Sequence, residues 1–130
     1  MQGHYHAVVW IDHHEARVFH FNLDGYEKSV IHPHESDKDR RREKHAGQHT
    51  ADNAHFLEAV AKAIADAGAI LVTGPGTEKS TLVKFIEEKH PKLKQAIEAV
   101  EAADHPSDGE LVAHARKVLK AEDRMRPQLG

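Results

Sequence analysis

Residues 6–31 alternate in a way that predicts three short strands. "HAVVWID" (6–12) is a continuous apolar run closed by Asp12-His13-His14. "EARVFHFN" (15–22) then places Ala16, Val18 and His20 on one face and Arg17, Phe19 and Phe21 on the other, a period of two. Leu23-Asp24-Gly25 is a turn, and "YEKSVI" (26–31) is a third strand. The short connections make the three an antiparallel meander. Residues 32–50, "HPHESDKDRRREKHAGQHT", follow neither period. Between Glu35 and Lys44 only Ser36 is uncharged, so this stretch cannot anchor a core and reads as a long charged loop.

Beyond it the period becomes helical. Phe56, Leu57, Val60 and Ile64 form one stripe that ends before Gly68. "AILVT" (69–73) is a buried strand, and Leu82, Val83 and Ile86 define a second helix stopped by His90-Pro91. A short turn at 92–96 precedes a weaker strand over 97–102. Ser107-Asp108-Gly109-Glu110 is a capping box ahead of Leu111, Val112, Ala115, Val118 and Leu119. The tail 121–130 frays. The order βββαβαβα implies one α/β domain over 1–130. Right-handed crossovers place strand 69–73 beside and parallel to the first strand. The result is a ribonuclease-H-like mixed five-stranded sheet of order 3-2-1-4-5.

Composition narrows the function. With 130 residues, 39% hydrophobic and 30% charged, the chain can bury a core of its own. No apolar run reaches the roughly 20 residues of a membrane span, and the amino terminus lacks a signal-peptide pattern. The absence of cysteine excludes thiolate metal sites and fits a reducing cytoplasm. A net charge of −3 gives no global basic field, although 13 histidines would make the surface more cationic in mild acid.

"ILVTGPGTEKSTLV" (70–83) imitates a phosphate-binding loop but does not satisfy one. In G-x-x-x-x-G-K-[ST] a glycine precedes the lysine, whereas Glu78 precedes Lys79 and Thr73 stands at the first glycine position. The stretch reads instead as a strand-to-helix turn, with Thr77 capping a helix whose first turn contains Glu78, where an anion could bind only weakly. Asp12, Glu58 and Asp104 are the acids a two-cation nuclease would need at strand ends and a neighbouring helix. His32, His34, His45 and His49 bracket the charged stretch and could close it over zinc, with no other cofactor expected. Lys38, Arg40, Arg41, Arg42 and Lys44 form a local basic cluster suited to phosphate oxygens.

Three motifs carry a family resemblance over about residues 5–127. They are Asp12 with Ala16, Arg17, Val18 and Phe19, then Gly74-Pro75 followed by Lys79, and "ADHPSDGELVAHAR" (103–116). Together they resemble small bacterial translational machinery proteins, whose fold is similar to the middle domain of eukaryotic and archaeal peptide release factors and of Pelota. In release factors a Gly-Gly-Gln loop lies between the third strand and the first long helix and acts on peptidyl-tRNA. Here that place holds Ala46, Gly47 and Gln48, departing from the motif at Ala46. The resemblance implies a noncatalytic, ribosome-associated protein that presents 32–50 to rRNA or tRNA. Lys38, Arg40, Arg41, Arg42 and Lys44 would contact phosphates, and Gly47 and Gln48 would stand at the tip. The alternatives are a peptidyl-tRNA hydrolase, a metal nuclease and a histidine-rich metal binder. A free sheet edge leaves homodimerisation open.

Overall fold

The computed structural model describes residues 5–33 and 46–119, apart from the side chains of 46–52. Three strands come first: β1 (His6–Ile11), β2 (Ala16–Phe21) and β3 (Tyr26–Ile31). They are followed by α1 (Ala46–Ala63), β4 (Ala69–Gly74), α2 (Glu78–Lys89), the single turn α3 (Pro91–Lys94), β5 (Ile97–Ala102) and α4 (Asp108–Val118). The sheet order is β3-β2-β1-β4-β5. β1 is antiparallel to β2 and parallel to β4, β2 is antiparallel to β3, and β4 is parallel to β5. This is the ribonuclease-H-like arrangement expected from the residue pattern.

The central position of β1 explains its unbroken apolar run. Every residue of β1 is buried, because both sheet faces are covered there. Ala7, Val9 and Ile11 join Ala16, Val18, Ile70 and Val72 beneath α1 and α2, whose Phe56, Leu57, Val60, Leu82 and Ile86 complete that core with Ile64, the residue after α1. Val8 and Trp10 join Phe19, Phe21 and Leu71 on the other face, covered by Leu111, Val112 and Ala115 of α4 and by Leu119. The two-residue alternation in β2 thus sorts its side chains between two cores, as a pleated strand requires. β3 lies at the sheet edge and is exposed along nearly its whole length, with Glu27 and Lys28 blunting that edge.

The turns are built locally. Asn22 Oδ1 accepts the amides of Asp24 (2.8 Å) and Gly25 (3.0 Å), which closes the β2–β3 hairpin. Ser107 and Glu110 make the reciprocal capping box that starts α4. Thr77 departs from expectation: it lies in αR at φ −95°, ψ −6°, and its side chain makes no capping bond. A cap side chain reaches back only from an extended backbone. Thr77 instead offers its carbonyl to Ser80 N (3.0 Å) and Thr81 N (3.1 Å).

The charged stretch is shorter than its sequence suggests. The backbone of α1 is helical from Ala46, so 46–50 belong to the helix rather than to a loop running to residue 50. Alanines at 46, 51 and 54, with Gln48, give this segment enough helix propensity to continue α1 backwards. Residues 34–45 and the tail 121–130 lie outside the described residues.

Candidate functional site

β1, β4 and β5 are parallel, so their carboxyl ends share one edge of the sheet. β3 also ends at that edge, because Ile31 pairs with Ala16, which pairs with Ile11. The charged stretch therefore leaves the sheet where the turns after β1, β4 and β5 gather. His32 Nε2 stands 3.6 Å from Glu15 Oε1, joining the departing chain to the β1–β2 turn. The parallel strands and the β3 exit bring these segments together, though they are far apart in sequence.

In the β1–β2 turn, Asp12 Oδ1 accepts the amides of His14 (2.8 Å) and Glu15 (2.9 Å). The next residue, His13, projects into solvent with its Nδ1 3.3 Å from Glu78 Oε1. Glu78 is the unusual member of this edge. It opens α2, where a carboxylate suits the helix dipole, yet its side chain is only 6% exposed and Oε2 has no hydrogen-bond partner. Lys79 folds back and donates to the carbonyl of Gly76. Gly74 has φ +151°, and a Cβ there would lie 2.1 Å from the carbonyl oxygen of Ile11. Glycine is thus what allows β4 to leave the sheet against β1.

The third turn is locked by side chains from the other face. Trp10 Nε1 donates to the carbonyl of Asp104 (2.8 Å), and the guanidinium of Arg17 lies 4.5 Å from the centre of the Trp10 ring. Arg17 Nη1 donates to the carbonyl of Pro106 (3.2 Å) and to Asp108 Oδ1 (2.9 Å). Lys28 Nζ donates to Asp108 Oδ2 (2.8 Å). The Lys28 hydrogen bond, aided by the Arg17 bond and both charges against a desolvation cost, holds the Asp108 carboxyl below its ordinary range. Hydrogen bonds from the Ser107 backbone and side chain do the same for Glu110.

The candidates read from sequence are distributed unevenly. Asp12, Glu58 and Asp104 are not brought together. Asp12 is engaged with its own turn, and Asp104 is almost fully exposed. Glu58 Oε1 on α1 pairs with His90 Nε2 at the α2–α3 junction, 2.7 Å away. Among the described residues no group of three or more histidine, aspartate or glutamate side chains could hold a metal ion. Lys38, Arg40, Arg41, Arg42, Lys44, His34 and His45 lie outside the described residues, as do the side chains of Gln48 and His49. Gly47 and Gln48 fall in the first turn of α1. A cavity of about 470 Å³ opens at the opposite sheet edge, between Ala65 and Ala67 on one side and His90 and Leu93 on the other.

Sequence reasoning overlooked Glu78 as a buried group and Asp108 as the link between α4 and two strands. Neither has a local signature. An acid in the first turn of a helix is ordinarily solvated, and only the packing around it reveals another role.

The fold, a mixed five-stranded sheet of order β3-β2-β1-β4-β5 flanked by helices, is similar to that found within solved Pelota and release-factor structures. No protein-family model matches the chain, and no curated protein matches it in sequence. Among solved structures it is similar to Archaeoglobus fulgidus Pelota, with a TM-score of 0.62 and 17% identity over 89% of this chain and 32% of that one. Thermoplasma acidophilum Pelota gives a TM-score of 0.62 and 16% identity over 94% of this chain and 38% of that one. An archaeal translation termination factor, aRF1, gives 0.57 and 17% over 90% and 36%. The chain spans about a third of the length of these proteins. Among the described residues no helix is long and apolar enough to cross a membrane.

Proposed function

We propose that this chain is a noncatalytic, ribosome-associated protein of translation that presents its charged segment to rRNA or tRNA. The observation that carries the reading is the insertion of a strongly charged stretch between β3 and α1, in a fold similar to Pelota and aRF1. The similar Saccharomyces cerevisiae protein Dom34 is described as a translation termination-like factor involved in RNA quality control and interacting with Hbs1. Five cations, Lys38, Arg40, Arg41, Arg42 and Lys44, would neutralise phosphates, while Gly47 and Gln48 in the first turn of α1 would stand beside the bound backbone. Helix starts favour such contacts because their amides lack intrahelical acceptors.

The test is co-sedimentation of the full chain with ribosomes at low and high salt, beside the variant with Arg40, Arg41 and Arg42 changed to alanine. Wild type is expected in the pellet at low salt and released as salt rises, with the variant in the supernatant throughout. Wild type that stays in the supernatant at every salt concentration, or a variant that pellets equally well, overturns the reading.

A further inference from the structure

β3 closes one side of the sheet, and among the described residues no strand pairs with its outer edge. The β2–β3 hairpin decides which backbone groups face outwards. Asn22 N donates to Gly25 O (3.0 Å), so those two residues form a hydrogen-bonded pair, and such pairs recur at every second position of an antiparallel ladder. Glu27, Ser29 and Ile31 therefore bond inwards, to His20, Val18 and Ala16. The N–H and C=O groups of Tyr26, Lys28 and Val30 point away from the sheet. The register with β2 is unbroken, and every residue from Tyr26 to Val30 is exposed, so this edge is a straight, open template for another strand.

Its side chains are symmetric about Lys28. Tyr26, Lys28 and Val30 share the sheet face of Phe21, Phe19 and Arg17, with which they pair. Tyr26 is 43% exposed and Val30 is 40% exposed, an apolar side chain at equal spacing on either side of the lysine. A free lysine on an edge strand ordinarily keeps other strands away. Here the charge is compensated within the molecule, because Lys28 Nζ lies 2.8 Å from Asp108 Oδ2. β5, at the other edge, carries one exposed large hydrophobic residue, Val100, and has no such symmetry. A pattern that reads the same in both directions is complementary to itself, as an isologous two-fold contact requires.

We propose that β3 pairs antiparallel with β3 of a second copy of this chain, about a two-fold axis at Lys28. Tyr26 then faces Val30 of the second copy, and Val30 faces its Tyr26, so both exposed apolar side chains are covered. Lys28 faces Lys28, each held by its own Asp108. Each of these pairs exchanges both backbone hydrogen bonds. On the other face Glu27 stands opposite Ser29 of the second copy, whose hydroxyl donates to the carboxylate. The neighbouring registers are worse. A shift towards the hairpin sets Glu27 against Glu27, which is destabilising for like charges directly opposite. A shift towards Ile31 sets Lys28 against Val30 and Tyr26 against His32, which separates the two apolar side chains. In the favoured register the sheet is continuous across both copies, and the segments after Ile31 leave it about 20 Å apart.

The experiment is sedimentation equilibrium of the purified full chain from about 10 µM to about 1 mM, because a single strand edge makes a small interface and a weak dimer. Wild type is expected to pass from monomer to dimer over that range. Val30→Lys should weaken association by about tenfold, since it enters the interface twice and lies diagonal to Lys28 of the second copy. Val100→Lys, on the other edge, should leave association unchanged. The chain has no cysteine, so single substitutions read the register directly. With oxidised glutathione, Lys28→Cys is expected to form a disulfide-linked dimer, because the two Cα atoms face one another at about 5.5 Å. Glu27→Cys and Ser29→Cys lie too far from their own copies and should not. Wild type that stays monomeric throughout, association lost in Val100→Lys but kept in Val30→Lys, or faster cross-linking of Glu27→Cys or Ser29→Cys than of Lys28→Cys overturns the proposal. Should Val30→Lys not fold, the cysteine variants decide the matter. No ribosome is present, so the outcome is independent of ribosome binding.

Discussion

Asp108 receives the guanidinium of Arg17 at 2.9 Å, from a strand 91 residues earlier in the chain. The pair fastens α4 across β2 and, through Lys28, across β3. The Arg17 side chain is only 12% exposed and stacks on the buried Trp10, so its loss removes packing as well as charge. Arg17→Ala is expected to lower unfolding free energy by about 1.5–3 kcal/mol in urea titrations. Lys28→Ala, at the exposed edge, should cost no more than about 1 kcal/mol.

The same carboxyl makes stability depend on pH. Its folded pKa is depressed, so its contribution is present in full above the unfolded value and disappears as pH falls through the folded one. Stability should therefore decline below roughly pH 4. Asp108→Asn should be less stable than wild type at neutral pH and show a shallower decline on acidification. Thermal unfolding of both proteins between pH 2 and 7 measures this.

Two glycines separated by a single residue, Gly74 and Gly76, should behave oppositely. Gly74→Ala forces a Cβ against the Ile11 carbonyl at a φ of +151°, and is expected to cost about 3 kcal/mol or more. Gly76→Ala meets nothing within 4 Å and should leave the melting temperature within a few degrees of wild type. Circular-dichroism melts of the two variants separate these outcomes.

Ile64 is fully buried under α1, in the core shared with Val60 and Ile70. Ile64→Ala leaves a void that the rigid sheet cannot close, for an expected loss of about 2–5 kcal/mol. Val30→Ala, on the exposed edge strand, should change stability by about 0.5 kcal/mol or less. Chemical denaturation reads both.

Much of the architecture was legible in residue order. Ala16 and Val18 separate from Phe19 and Phe21 in the sequence as they do between the two cores. Ser107 and Glu110 announce the start of α4 and make the bonds their spacing implies. Thr77 shows where the local code fails: the residue type is right for a cap, but its backbone lies in αR and its side chain makes no capping bond. Glu58 looked free for a metal and is instead held by His90, a residue 32 positions away.

The sequence by itself determined the element order, the sheet topology and which face each strand residue takes. Periodicity, glycine and proline placement and short-range capping act over a few residues and can be read there. Only the tertiary structure decided that Glu78 is buried beside His13 and that Asp108 joins Arg17 to Lys28. It also decided that the charged segment departs from the edge where the parallel strands end. Those relationships depend on which surfaces meet after folding, because the burial of a charged side chain is set by its neighbours in space and not by its neighbours in the chain.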